Sequence, residues 1–331
     1  MKQQTTAIQK SLFSDSKADF AIATCGLTKR YDRHIAVNEV DLRIPSGEIY
    51  GLMGINGAGK TSMMKMLAAA EAPTKGEIYY NGDRLLLDDS SNNIKRYIGY
   101  LPDNYPLYHD LTVWDYLDYF ARLYKIASRR RRVRIYEVLE LVNLEDKRNS
   151  LIPTLSRGMK QRLSLARTII HEPIVLLLDE PVSGLDSLAR EQFRSIVRVL
   201  QEAGMTIVIA SPILRDLTEI CTTIGVMDYG FLIDTMNVSE ISDRSLQQIV
   251  ITTLGDIAPL EQELKHYDVV RGWEQIPQKN SLEISLSGGE IESAALLRSL
   301  IEKGFSVTEF KLIKEDWETI LLQRRNKIVQ S

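Results

Sequence analysis

The sequence predicts an α/β protein with a parallel-sheet core, followed by a smaller α+β domain. Apolar runs of strand length at 49–53, 174–178 and 206–210 alternate with segments of helical period, an order that gives parallel strands joined by helices. After residue 239 the pattern changes to short strands and two helices in βαββαβ order. At 331 residues, 44% hydrophobic and 26% charged, the chain is long enough for one large domain and a smaller one, with ordinary globular composition.

Taken in order, residues 1–20 are polar apart from Leu12 and Phe13 and carry no signal-peptide core, so they are expected to form a flexible tail. Val40, Leu42 and Ile44 alternate with Asp41 and Arg43, which predicts one half-buried strand broken by Pro45-Ser46-Gly47. A buried strand at 49–53 and a helix at 61–70 follow. Ile78-Tyr79-Tyr80 before Asn81-Gly82 is a hairpin signal. Residues 106–155, rich in leucine and arginine, predict helices. The run at 174–178 predicts a buried strand, 188–203 an amphipathic helix ending at Gly204, and 206–210 another buried strand. Beyond residue 239 come strands near 249–253, 269–273, 282–286 and 307–312, and helices at 260–266 and 292–303. This is the ferredoxin-like order, closed by a last helix at 317–324.

The formal net charge of -3 argues against a broad basic footprint, so no nucleic-acid partner is expected. No apolar run approaches the ~18 residues of a membrane span; if the chain works at a membrane, other chains must hold it there. Cys25 and Cys221 lie far apart and read as buried reduced thiols, as suits a cytosolic protein.

Gly54-Ile55-Asn56-Gly57-Ala58-Gly59-Lys60-Thr61 fits G-x-x-x-x-G-K-[ST], placed between a predicted strand and a predicted helix. Glycines there let backbone N–H groups curl around phosphate oxygens, and the helix N-terminus adds partial positive charge. Lys60 can reach the β- and γ-phosphates and Thr61 can ligate Mg²⁺. The alternative is a glycine-rich turn without a ligand. Downstream, the 174–178 strand delivers Asp179-Glu180 to its C-terminal end, where α/β proteins bind ligands. Asp179 would orient magnesium and Glu180 would polarise the attacking water. Alone, two acids ending an apolar strand read equally as a solvated exit.

Between these motifs, Leu155-Ser156-Arg157-Gly158-Met159-Lys160-Gln161-Arg162 resembles the signature of ATP-binding cassette (ABC) ATPases, usually L-S-G-G-Q, and Pro181-Val182-Ser183-Gly184-Leu185-Asp186 resembles their D-loop. The resemblance covers residues 21 to about 240. It implies a P-loop NTPase of the ABC cassette fold, with a parallel-sheet core, an antiparallel β subdomain and a helical subdomain at about 104–155. The small domain at 245–331 resembles accessory domains of exporter ATPases whose membrane subunits are separate chains. It also implies ATP and Mg²⁺ as cofactors, with Gly54, Asn56, Gly57, Ala58, Gly59, Lys60, Thr61 and Ser62 around the phosphates. Tyr31, by itself a core or surface tyrosine, would stack on adenine. Ser156, an expected helix N-cap, and Gly158 would face the γ-phosphate held by a second cassette, while Glu180 acts on water. Integral membrane permease subunits and a second cassette are the implied partners, and the cytoplasmic face of the membrane the implied place.

Four positions depart from the family pattern. Arg157 and Met159 replace the usual glycine and glutamine of the signature. Asp103 stands where glutamine is usual, and is kept as a third metal candidate beside Thr61 and Asp179. Pro212 stands where the family keeps a switch histidine, and proline has no N–H to donate. His34, His109, His171 and His266 do not stand near enough in sequence to replace it, and His171 reads as a residue at the end of the signature helix. The basic run Arg129–Arg132 with Arg134 reads as a solvated helix face, or else as a contact for acidic lipid or an acidic partner.

Three functions follow. One is an exporter motor that docks its membrane subunits through Asp103 to Thr112. Another is a slow nucleotide-gated cassette paired with a more active one. The third is a soluble ABC ATPase acting on ribosomes or DNA. Co-purification with membranes separates the last from the others, and a turnover assay separates the first two.

Overall fold

The computed structural model describes residues 20–86, 93–239, 247–276 and 280–313. The expected tail, apart from Phe20, and the expected helix at 317–324 lie outside them. The chain divides into two compact units, Met1–Val238 and Ser239–Ser331.

The first unit opens with β1 (Phe20–Tyr31), β2 (His34–Val40) and β3 (Arg43–Pro45), then β4 (Ile49–Met53), α1 (Lys60–Leu67), β5 (Lys75–Tyr80) and β6 (Asp83–Arg84). Next come β7 (Ile98–Leu101), α2 (Val113–Leu123), α3 (Ser128–Leu141), α4 (Arg157–Ile169) and β8 (Val175–Asp179). It closes with α5 (Ser187–Glu202), β9 (Thr206–Ser211), α6 (Leu214–Thr218), β10 (Thr223–Asp228) and β11 (Phe231–Asn237). An antiparallel sheet has the order β2-β1-β5-β6, with β3 also on β1. A second sheet has the order β11-β10-β4-β9-β8-β7. Its neighbours from β10 to β7 are parallel and β11 is the antiparallel edge.

The expected single strand through Val40, Leu42 and Ile44 is divided. Alternate burial holds, each of the three being at most 2% exposed, but β2 ends at Val40 and β3 begins at Arg43, each pairing with a different part of β1. Thr24 explains the join: its hydroxyl donates to Val40 O and accepts from Leu42 N, both at 2.9 Å, which satisfies backbone groups that the break would orphan. The first helix is shorter than expected, ending at Leu67.

Two long helices, α2 and α3, occupy the expected helical region; short 3₁₀ turns at Glu145–Lys147 and Ile152–Thr154 follow them. Thr112 caps α2, its hydroxyl accepting from Asp115 N at 3.1 Å. Much of the basic run is consumed locally. Arg130 pairs with Glu137 and Glu172, Arg131 with Asp118, and Arg134 with Glu137 and the carbonyls of Ile169 and Ile170. Both cysteines are free; Cys221 is buried, whereas Cys25 is only half-buried.

The core of this unit joins both sheets to α1, whose Met63, Met64, Met66 and Leu67 are fully buried among Leu27, Leu52, Leu177 and Val208. Burying such a side chain stabilises by about 1.5–3 kcal/mol, so α1 is held against β8 and β9.

The second unit has β12 (Gln247–Thr253), α7 (Ala258–Leu264), β13 (Val270–Gln275), β14 (Ser281–Leu286), α8 (Glu290–Glu302) and β15 (Val307–Ile313). Its sheet order β13-β14-β12-β15, wholly antiparallel, is the ferredoxin-like arrangement. Ile249, Ile251, Leu282, Ile284 and Leu286 pack against Leu260, Leu264, Leu296 and Leu300 in a core of its own. Its helices and strands begin and end within two residues or so of the expected bounds, as frayed ends do.

Candidate functional site

Parallel register builds the site. Met53 pairs with Ser211, Ala210 with Asp179, and Leu178 with Leu101. Four strands therefore end together, and the chain leaves them at Gly54, Pro212, Glu180 and Pro102, side by side along one sheet edge.

The loop from Gly54 to Gly59 turns from β4 into α1. Its glycines serve different needs. A Cβ on Gly54 would lie 2.5 Å from Met227 O, and one on Gly59 (φ +104°) 2.1 Å from Ala36 O; both positions are closed by packing. A Cβ on Gly57 (φ +88°) would meet nothing within 4 Å, so here glycine supplies the left-handed backbone. Ala58 is buried, its N–H donating to Ile55 O at 3.1 Å and its carbonyl accepting from Gly230 N at 3.0 Å. Asn56 and Thr61 are exposed and Ser62 is half-buried. No side chain caps α1, which leaves its first N–H groups free for an anion.

Lys60, 4% exposed, donates from Nζ to Gly54 O at 2.7 Å and Ile55 O at 3.1 Å. Burial lowers its ammonium pKa, and the nearby Glu180 and Asp179 charges oppose that. Asp179 is 1% exposed, and both of its carboxylate oxygens lack a hydrogen-bond partner. Burial raises its pKa; the Thr61 hydroxyl partly offsets this without closing a hydrogen bond, and the charges of Glu180 and Asp103 raise it further. Glu180 has a left-handed backbone (φ +47°), uncommon for a side chain of this kind, and its N–H donates to Ala210 O at 2.9 Å.

These features fit a magnesium–nucleotide group. An orphaned buried carboxylate beside a threonine hydroxyl is the oxygen donor set a hard cation takes, with phosphate and water supplying the rest. Among the described residues, no cluster of three or more His, Cys, Asp or Glu could cage a metal alone. Asp103 is exposed and reaches Asp179 only through its charge. Replacing Asp179 by asparagine is expected to stabilise the unliganded fold by about 1–2 kcal/mol, because it removes a buried charge that has no hydrogen-bond partner and that Lys60 balances only in part. The raised native pKa carries the sign: unliganded stability falls as pH rises through the ordinary carboxylate range to that raised value, and Asp179→Asn should abolish that slope and the added protection from Mg²⁺ with ATP. Thermal unfolding against pH, with and without Mg²⁺, checks this.

Tyr31 is 38% exposed. Its hydroxyl donates to Glu71, which also pairs with Lys65 and Lys29, and the Lys29 ammonium lies 4.9 Å from its ring centroid. These partners hold Glu71's carboxyl below its usual pKa, the Tyr31 hydrogen bond most of all. Glu71 was not among the sequence candidates; it belongs to no motif and meets Tyr31 only through a 40-residue separation.

Ser156 caps α4, accepting from Met159 N at 3.2 Å, and is exposed. Gly158 faces a neighbour within the chain: a Cβ there would lie 2.9 Å from Ala189 Cβ, so the glycine permits close approach of α4 and α5. Tyr105, in the segment after β7, donates to Gln161 of α4, and Tyr108 packs against Tyr116, Tyr119 and Phe120. His171 lies away from this edge, stacked on Tyr124 with ring centroids 3.9 Å apart and Nε2 3.1 Å from Ile98 O.

A phosphate cradle, a buried lysine and an orphaned aspartate at strand ends define a P-loop nucleotide-binding protein. Residues 37–183 match the family described as ABC transporter. The chain is 34% identical over 289 residues to YcbN of Bacillus subtilis (strain 168), an uncharacterised ABC transporter ATP-binding protein, covering 85% of this chain and 89% of that one. It is 36% identical over 228 residues to the bacitracin transport ATP-binding protein BcrA of Enterococcus faecalis, covering 69% and 72%. Among solved structures, the dimeric post-hydrolysis state of the ATP-binding cassette MJ0796 with ADP and Pi superposes with a TM-score of 0.60 at 27% identity, covering 66% of this chain and 98% of that one. The chain therefore belongs to the ABC transporter family as an ATP-binding subunit. Members bind ATP with Mg²⁺, hydrolyse it, pair as dimers and work with membrane permease subunits. Among the described residues, no helix is long and apolar enough to cross a membrane.

Proposed function

We propose that this subunit drives export, from the cytoplasmic face of a membrane, through separate permease chains. The observation that carries the reading is the 36% identity to a bacitracin transport subunit, together with the resemblance of a cassette plus small C-terminal domain to exporter ATPases. Lys60, Gly57, Gly59 and the free N–H groups of α1 hold the phosphates, with Gly54, Asn56, Ala58 and Ser62 shaping the loop. Thr61 and Asp179 hold Mg²⁺, Tyr31 stacks on adenine with the ring face away from Lys29, and Glu180 orients water. Ser156 and the first turn of α4, through Gly158, complete the site of a second cassette.

The segment 103–112 supports a coupling role. Tyr105 links it to the signature helix through Gln161, and the Tyr108 ring cluster anchors it on α2. A permease seated there would act on the signature by way of Gln161. The second unit, with its own core, serves as an accessory domain. The test is transport with the co-purified permease in inverted membrane vesicles, using bacitracin as the first probe. ATP-dependent accumulation inside the vesicles is the expected result. Uptake that requires the opposite orientation would overturn the direction.

A further inference from the structure

We propose that Arg157 is a positioning residue that straps the first turn of the signature helix to the turn carrying Glu180, fixing the two nucleotide half-sites of one chain relative to each other. This rests on the roles proposed above for Ser156 and Glu180.

Arg157 is the first residue of α4, whose first turn contains no acid. A cation there opposes the partial positive charge of the helix N-terminus, so its placement calls for a partner elsewhere. That partner is the D-loop turn. Arg157 Nη2 donates to Ser183 O at 3.0 Å. The guanidinium also occupies the space a side chain at Gly184 would fill: a Cβ on Gly184 would lie 2.3 Å from Nη2 and 2.4 Å from Cζ. Gly184 has φ +66°, so glycine is required there both for backbone conformation and as the seat of the guanidinium. A planar, pre-organised fork suits such a seat better than a flexible ammonium.

The hydrogen bonds continue inward. Ser183 N donates to Glu180 O at 3.2 Å, and Glu180 N donates to Ala210 O on β9 at 2.9 Å. Leu185 N closes the same turn on Val182 O at 3.3 Å. A line of bonds thus runs from the signature, through Ser183, to the residue with the left-handed backbone. Such a conformation persists only where its surroundings hold it. The close approach of Gly158 to Ala189 brings α4 and α5 together beside this line. Ser156, next to Arg157, is the proposed contact to the nucleotide of a second cassette. A shift of the signature on meeting that nucleotide is transmitted to Glu180, which acts on the chain's own nucleotide.

The test is single-turnover hydrolysis of saturating Mg²⁺–ATP by the full chain, with ATP affinity measured in parallel. Arg157→Ala is expected to slow hydrolysis about tenfold, the effect of one charge-assisted hydrogen bond at an exposed site, and to leave ATP affinity unchanged. Arg157→Lys, which keeps one donor within reach of Ser183 O, should recover part of the rate, and reports on the strap even if the alanine variant unfolds. Gly184→Ala should also slow hydrolysis, because its Cβ evicts the guanidinium. The double variant R157A/G184A should then be no slower than Gly184→Ala alone. An unchanged rate in Arg157→Ala, losses that multiply in the double variant, or an affinity loss equal to the rate loss would each overturn the strap. Glu180→Gln run alongside separates the two readings. If it hydrolyses normally, the role of Glu180 fails and the strap with it; if it is slow while Arg157→Ala is not, only the strap fails.

Discussion

Pro212→His is expected to raise the rate of ATP hydrolysis about 10²-fold or more, the reverse of deleting one donor that stabilises transition-state charge. Parallel register puts Pro212 directly after Ser211, which pairs with Met53 at the entrance to the phosphate loop. A donor at that position would face the phosphates, and proline supplies none. Ser211 is not free to substitute: it is 3% exposed, and its hydroxyl is turned back to accept from Ile213 N at 3.0 Å. Asp103 compounds the effect, since its charge adds to the penalty already borne by buried Asp179. The native chain is therefore expected to bind ATP normally and turn it over below the usual enzyme range of ~1–10³ per second. Steady-state hydrolysis by native and Pro212→His chains, alone and with the permease, is the measurement. An ordinary native rate that the histidine leaves unaltered would show that the departure is silent. A large gain would favour a cassette held slow by its own sequence and paired with a faster one.

Lys60→Ala should weaken ATP binding by about 10²-fold, the loss expected when a charged donor to phosphate is removed from a buried site. The ammonium is already dehydrated and held on Gly54 O and Ile55 O, so moving it to a phosphate incurs little further desolvation. Its removal also deprives Asp179 and Glu180 of the cation that partly balances them. Isothermal titration with Mg²⁺–ATP measures the effect, and undiminished affinity would remove the phosphate site from this loop. The same titration on a chain ending at Ser239 is expected to match the full chain, because each unit has its own apolar core. Global unfolding of that shorter chain would refute the independence of the first unit.

The sequence by itself determined the family, the phosphate loop and the alternation of strands and helices. Those are local signals: 54–61 carries its own glycines and lysine in chain order, and the buried strands at 49–53, 175–179 and 206–211 are short apolar runs with clear ends. The twelve-residue β1 and the β10–β11 hairpin left no such mark. Their residues are fixed by pairing with distant partners, Ile22 with Tyr80 and Ile224 with Gly51, so local pattern alone does not single them out. Only the tertiary structure decided which side chains meet. Parallel register aligned Gly54, Pro102, Glu180 and Pro212 along one edge, and left the Asp179 carboxylate buried without a hydrogen-bond partner. Folding also brought Glu71 to Tyr31, Gln161 to Tyr105 and Arg157 to Ser183, across separations of 40, 56 and 26 residues. A motif reports chemistry that neighbours in sequence can supply; a hydrogen bond between distant segments depends on strand register and helix packing.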